Sequence, residues 1–276
     1  MATVLVTGGT GTTGRLLAAA LSGRAEVRIA TRKPAEPGQV RFDWDEPATY
    51  APAVAGVHRI YLIAPIGVAD PVPVVRPFLA EAVRAGVRRV VLLSSSAVDE
   101  SATGLGALPK LVRHMFPEWT VLRPSWFMQN FLTGHEVGAG IRADGEIVTA
   151  TGSGRVAFVD AADIAAVAAV ALLAAEPHNT AHVITGPEAV SYADAAAIIT
   201  EITGMPVRHR PVTPAEFTSR LVTAGVPARF AAVLAHLDED IRDGAEDRVT
   251  STVSDVTGNP AGSLRDFIAA HRHTFS

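Results

Sequence analysis

The residues with the clearest capacity for chemistry sit near the amino end: Gly8-Gly9-Thr10-Gly11-Thr12-Thr13-Gly14. A short β-branched apolar run, Thr3 to Val6, leads into them. Apolar residues at helical spacing follow: Leu16, Leu17, Ala20 and Leu21. Strand, glycine turn and helix in that order make a G-x-x-G-x-x-G spacing a site for the phosphates of a dinucleotide. Gly8 suits the positive φ of a tight turn, Gly11 lets bare backbone approach a pyrophosphate, and Gly14 lets the helix pack close to the strand. The N–H groups at the helix start face the phosphates, with the positive end of the helix dipole behind them. Thr10, Thr12 and Thr13 add hydroxyls and backbone donors around the same anion. The plain alternative is a glycine turn that only reverses the chain; the strand–helix context favours binding.

A second group, Thr31-Arg32-Lys33, follows the next strand-like run. An acid at this place would accept from a ribose 2′-OH and select NAD, whereas a guanidinium or ammonium would meet the 2′-phosphate of NADP. Arg32 stands 18 residues beyond Gly14, near the spacing of about 20 that this role calls for. Arg32 and Lys33 therefore favour NADP, with NADPH preferred over NADH, against the alternative of solvated turn residues. Asp43, in Phe42-Asp43-Trp44-Asp45, is placed to accept from an adenine amino group with Trp44 near the ring, or else belongs to an ordinary strand-end turn. Two histidine groupings point to no metal. His271-Arg272-His273 lacks carboxylate support and reads as a solvated tail, and Pro117 breaks the turn between His114 and Glu118.

These groups need a frame, and the first half of the chain supplies one by alternating strand-like and helix-like segments. Strands are expected at Thr3–Val6, Val27–Ala30, Val40–Phe42, Ile60–Ile63, Val90–Leu93 and Thr120–Leu122. A helix around Val74–Ala85 is stopped by Gly86, with Pro77 expected in or near its first turn. The fold class is α/β: a Rossmann-type doubly wound parallel sheet with a smaller C-terminal α+β substrate lobe. The sheet domain is expected over 1–134 and the lobe over 135–276, with about 156–186 packing back on the sheet. Glycines at 134, 138, 140, 145, 152 and 154 mark a loop-rich stretch with a hairpin expected near Ile147–Val159. Asp160 or Asp163 would cap the Ile164 helix, and His182–Thr185 reads as a returning strand. Ser191 with Asp194, and Thr213 with Glu216, are spaced as helix caps.

The 276 residues are 48% hydrophobic and 19% charged, with a formal net charge of −4. That balance allows a sizeable core and argues against nucleic acid as a partner, since a phosphate backbone calls for a basic face. There is no cysteine, which excludes disulfides and thiolate chemistry and suits a reducing compartment. The apolar run Ile164–Ala175 is too short to span a bilayer. Met1 leads straight into the first strand, so a cytoplasmic protein is expected, away from membranes, as a monomer or homodimer acting on a small molecule.

Taken together, several segments resemble the NmrA-like, atypical branch of the short-chain dehydrogenase/reductase superfamily. They are Thr7–Gly14, Thr31-Arg32, Phe42-Asp43-Trp44, Leu92-Leu93-Ser94-Ser95-Ser96 and Leu122-Arg123-Pro124-Ser125-Trp126-Phe127-Met128-Gln129-Asn130-Phe131. The likeness continues through Val159–Ala165 and Thr185-Gly186-Pro187-Glu188, and is nearest to quinone and azo-dye reductases and ergot-alkaloid iminium reductases. The resemblance implies a bound NADP(H) and a substrate pocket shared with the small lobe. By position, Gly8, Thr10, Gly11, Thr12 and Thr13 would hold the pyrophosphate, Arg32 the 2′-phosphate and Asp43 the adenine. Ala64 and Pro65 would flank adenosine, and Pro124, Ser125 and Phe127 would lie by the nicotinamide. Trp126 and Phe131 would be pocket walls or else simple core aromatics.

The wider superfamily uses a Tyr-x-x-x-Lys pair as its acid, and this chain has none: Tyr50, Tyr61 and Tyr192 do not precede a lysine by four. Ser94 to Ser96 could supply a hydrogen bond to a substrate oxygen, with Ser96 the candidate, or only satisfy backbone at a strand end. A quinone, iminium or enone needs less acid help than an unactivated ketone. Holding nicotinamide and acceptor in line then supplies much of the rate. The expectation is an NADPH-dependent reductase of small conjugated acceptors. The alternatives are a non-catalytic NADP-binding redox sensor or an isomerase or cyclase on the same fold.

Overall fold

The computed structural model describes residues 1–101, 103–132 and 134–275. Its first half runs β1 (Thr3–Val6), α1 (Thr12–Leu21), β2 (Glu26–Thr31), β3 (Gln39–Arg41), α2 (Tyr50–Val54), β4 (Arg59–Ile63), α3 (Val72–Arg84), β5 (Arg89–Leu93), α4 (Leu108–Met115) and β6 (Glu118–Pro124). The chain then forms α5 (Glu136–Asp144), β7 (Glu146–Thr149) and β8 (Arg155–Val156) before α6 (Ala161–Leu173) and β9 (Thr180–Ile184). The rest is β10 (Val190–Ser191), α7 (Tyr192–Thr203), β11 (Arg208–Pro211), α8 (Pro214–Thr223), α9 (Ala228–Arg242), α10 (Thr252–Thr257) and α11 (Leu264–Ala270).

Two compact units divide these elements. One comprises Met1–Pro124 with Ala161–Val183, and the other Ser125–Asp160 with Ile184–Ser276. The first unit ends at Pro124 where 134 was expected, and the returning piece is 161–183 where about 156–186 was expected.

Among the described residues the first unit carries a seven-stranded sheet in the order β3-β2-β1-β4-β5-β6-β9. The pairs from β3 across to β6 are all parallel. Strand order reverses between β1 and β4, the switch point at which open α/β sheets leave a crevice beyond the strand ends. The central strands are apolar on both faces, as burial on both sides requires: Val4, Leu5 and Val6 are fully buried, as are Ile60, Tyr61 and Leu62. One face packs Phe42, Tyr50, Phe78, Leu79, Leu108 and Val112. On α1 and α6, which pack together, small alanines allow close approach.

The α3 helix stops where Gly86 takes φ +85°. Pro77 lies in its second turn, past the place expected, with its ring toward solvent. There it removes the N–H that would have reached the Pro73 carbonyl.

The second unit has its own core around Met128, Phe131, Ile147, Phe158, Tyr192, Ile199, Ile241 and Phe267. Ser191 and Asp194 form a reciprocal capping box on α7, and the Thr213 hydroxyl accepts from the Glu216 N–H on α8. The expected hairpin near Ile147–Val159 does not form. Instead β7 pairs in parallel with β11, and β8 pairs antiparallel with β10. The glycines between β7 and β8 serve close packing on α9: a Cβ on Gly154 would overlap the Ile241 carbonyl.

Candidate cofactor site

The glycine turn is built from its neighbours inward. Thr7, at the end of β1, is fully buried, and its N–H and hydroxyl both reach the Tyr61 carbonyl, at 3.0 and 3.1 Å. The same hydroxyl accepts from the Ile63 N–H at 2.7 Å. These bonds lock the ends of β1 and β4 together where the turn begins. Gly8 takes φ +60°, a conformation that strains any side chain. A Cβ on Gly14 would overlap the Gly8 carbonyl and stand 2.7 Å from the Gly9 Cα, so α1 presses on the turn. Around Gly11, in contrast, the only atom that a Cβ would meet within 4 Å is the Gly8 carbonyl oxygen, at 3.2 Å, among the described residues. Its outer side is bare backbone.

Gly11 stands at the N-cap position with no side-chain cap, leaving the first N–H groups of α1 without an intrahelical acceptor. Thr10 and Thr12 are exposed beside them. Thr13 differs. Its side chain is buried and its hydroxyl accepts from the Tyr61 phenol at 3.2 Å, which ties the first turn of α1 to β4. Burial pushes the Tyr61 pKa up, which keeps that donor protonated. Tyr61 is a residue the sequence reading missed, since a buried strand tyrosine gives no local sign of its distant partner.

After β2, Arg32 and Lys33 are exposed. Arg41, opposite Thr31 in the sheet register, joins them: its guanidinium reaches the Arg32 carbonyl at 3.4 Å and is forked by Glu46 at 2.7 and 2.8 Å. Asp43 is half-buried, and one of its carboxyl oxygens accepts from the Asp45 N–H at 3.1 Å. Trp44 packs edge-on against Phe42 and Phe78, at 4.7 and 5.3 Å, on the rim of the core. Ala64 and Pro65 are half-buried just past β4.

Past β5, the Ser96 N–H donates to the Pro124 carbonyl at 2.9 Å, and its residue is buried. Arg123 holds the same loop, donating to the carbonyls of Ser95, Ser96 and Val98 at 3.0–3.3 Å and pairing with Asp99 at 3.2 Å.

In the second unit, Ser125 donates its N–H to the Ile184 carbonyl at 2.9 Å. The residue is 3% exposed, yet its hydroxyl has no hydrogen-bond partner, a costly state unless something supplies one. Trp126 and Phe127 are half-buried along Val159, the Val159 N–H reaching the Trp126 carbonyl. Phe131 is buried edge-on against Phe158 at 5.0 Å, which makes it a core aromatic.

The phosphates of a dinucleotide fit the features of the first unit: a bare glycine cradle, orphan helix N–H groups and exposed cations past β2. Residues 8–176 match the family described as NAD(P)H-binding. The chain is 48% identical over 273 residues to the uncharacterized oxidoreductase YesF of Bacillus subtilis, covering 97% of this chain and 94% of that protein. It is 32% identical to the NAD(P)H azoreductase of Xenophilus azovorans, covering 99% of each. Its fold matches an NADPH-dependent quinone oxidoreductase of Escherichia coli solved with NADPH, with a TM-score of 0.83, 24% identity, and coverage of 97% of this chain and 99% of that one. The chain belongs to the NAD(P)H-binding family and is an NAD(P)H-dependent oxidoreductase.

Proposed function

We propose that this chain reduces small, conjugated, electron-poor acceptors (quinone, iminium or enone) at the expense of NADPH, without a Tyr-Lys pair. The observation that carries the reading is the glycine turn between β1 and α1, with exposed Arg32 and Lys33 standing past the neighbouring strand. When bound, the dinucleotide supplies hydride. The turn and the first N–H groups of α1 hold its pyrophosphate, with Gly8, Thr10, Gly11, Thr12, Thr13 and Gly14 as the cradle. Arg32 and Lys33 answer a 2′-phosphate, Asp43 the adenine, and Ala64 and Pro65 flank the adenosine.

Pro124, Ser125 and Phe127 position the nicotinamide, and the orphan Ser125 hydroxyl gains a partner there. Trp126 lines the acceptor side, and Ser96 offers a hydrogen bond to an acceptor oxygen. Acceptors whose reduced form carries a stabilised anion, or no charge at all, require no further acid. The named azoreductase and quinone oxidoreductase support this substrate class by analogy.

Two measurements test the reading. NADPH consumption is followed with a panel of quinones, iminium salts and enones, and no turnover with any of them sinks it. Thermal melts compare NADPH with NADH before and after Arg32→Ala, because a ligand of the folded state raises the midpoint by mass action. NADPH gives the larger rise and the substitution removes the difference; equal rises throughout refute the Arg32 assignment.

A further inference from the structure

Three cationic side chains gather where β2 and β3 end, and they are not in the same state. Arg32 and Lys33 are exposed, and neither side chain has a hydrogen bond or ion pair among the described residues. Arg41 stands opposite Thr31 in the sheet. Its Nη1 donates to the Arg32 carbonyl at 3.4 Å, and its Nη2 donates to both carboxyl oxygens of Glu46, at 2.7 and 2.8 Å. The first bond sets the guanidinium beside the main chain of Arg32, and the other two cancel its charge.

Glu46 is put there by its own backbone. Its N–H donates to the Asp43 carbonyl at 3.1 Å, and its carbonyl accepts from the Thr49 hydroxyl and N–H, at 2.7 and 2.9 Å. The acid is thus built into the turn that carries Asp43. Its neighbours on these loops are occupied otherwise: Glu36 accepts from the Gln39 amide at 3.2 Å, and Asp43 from the Asp45 N–H at 3.1 Å.

The ion pair does little for the fold. The Arg41 and Glu46 side chains are 54% and 50% exposed, and a pair so open to solvent contributes little stability. A phosphate monoester asks of a guanidinium what a carboxylate asks, two oxygens against its N–H edge, and brings more charge. Glu46 therefore engages the one guanidinium that is already fixed beside Arg32. An acid set against a ligand's own charge lowers affinity for that ligand and spares an analogue that lacks the charge.

We propose that Glu46 is an internal competitor of the 2′-phosphate: Arg41 is a third cation for that group, and its pairing with Glu46 limits the preference for NADPH over NADH. This role rests on the NADPH reading made for Arg32. Glu46 acts through Arg41, on the adenosine end of the cofactor, and leaves hydride transfer alone.

Calorimetric titration of the whole protein with 2′,5′-ADP and 5′-AMP isolates the effect, because these ligands differ only in the 2′-phosphate; NADP⁺ and NAD⁺ repeat the comparison at full length. Glu46→Gln keeps the backbone turn and an acceptor for Arg41. It should tighten both 2′-phosphorylated ligands about three- to tenfold, the effect of removing one negative charge within about 10 Å of a dianion, and added salt should shrink the gain. Affinity for AMP and NAD⁺ should stay within about twofold. Arg41→Gln should weaken the phosphorylated ligands, and Glu46→Gln placed on that background should gain less than about twofold. A smaller gain in the single variant, a gain shared by AMP and NAD⁺, or one that survives intact without Arg41 overturns the proposal. Melts check that each variant folds, and Glu46→Ala replaces Gln if it does not. Equal wild-type affinities that Glu46→Gln leaves equal sink the NADPH reading together with the competitor. A wild-type preference that the substitution leaves unmoved sinks the competitor alone.

Discussion

Gly14 has no room for a side chain, because the Gly8 carbonyl and Gly9 Cα already occupy the space a Cβ would need. Gly14→Ala should therefore push α1 off the turn, at a cost of about 1–3 kcal/mol, the usual range for overpacking. The rise in melting midpoint with NADPH should vanish with it, and a thermal-shift titration reads both effects. Asp238, on α9 and 7% exposed, makes a prediction of a different kind. Its folded pKa of about 6 exceeds the ordinary 3.8, so the native state binds the extra proton between those values. Stability from this group is present at low pH and lost as pH rises through about 6, reaching a penalty of roughly 3 kcal/mol near neutrality. Urea unfolding across that window should show the decline, and Asp238→Asn should flatten it. The positive φ of Gly8 and the close packing at Gly14 were legible because each is a local demand on φ or space. Asp238 was not, since nothing near it in sequence says that a helix acid will be buried.

Among the elements, the end of α6 shows how a charge holds a helix in place. Arg89 at the start of β5 is 2% exposed. Its Nη1 lies 2.6 Å from the Ala174 carbonyl and 3.2 Å from those of Ala171 and Leu172, while its Nε bonds Glu118 at 2.8 Å. Arg59, on β4, donates to the Leu172 carbonyl as well. These bonds satisfy carbonyls that a helix end leaves open. Burial works to raise the Glu118 pKa, but its bonds to Arg89 and Arg88 outweigh that and hold it low. Arg89→Met should cost about 3–5 kcal/mol in urea unfolding, the range for breaking a buried ion pair, and Arg89→Met with Glu118→Gln should cost less than the single change. The six sheet strands through β6 were legible from apolar runs between turn signals. The pairing of β7 with β11 was not, because a parallel partner about sixty residues away leaves no mark on either segment's own pattern. An arginine at a strand start likewise reads as a surface charge until the helix it caps is known.

At the level of the whole chain, the sheet is completed late. The strand beside β6 and the helix on α1 come from 161–183, after the second unit has begun. A fragment ending at Pro124 should therefore lack a cooperative melt by circular dichroism, with β6 left as a bare edge. Joining 161–183 to it through a short glycine-rich linker should restore one. The two-part organisation was readable from the change of texture past Phe131. Its seams were not, since they fall at Pro124, Asp160 and Val183, and a proline or glycine at a strand end marks a turn without saying which core the next segment joins.

Those seams fall after Pro124, Asp160 and Val183, so the second unit is made of two chain segments with a piece of the first between them. A gene exchange that cuts once cannot deliver the second unit whole without also carrying 161–183 of the first. Exchanging the second unit with a relative's therefore takes three joins, with 161–183 left in place.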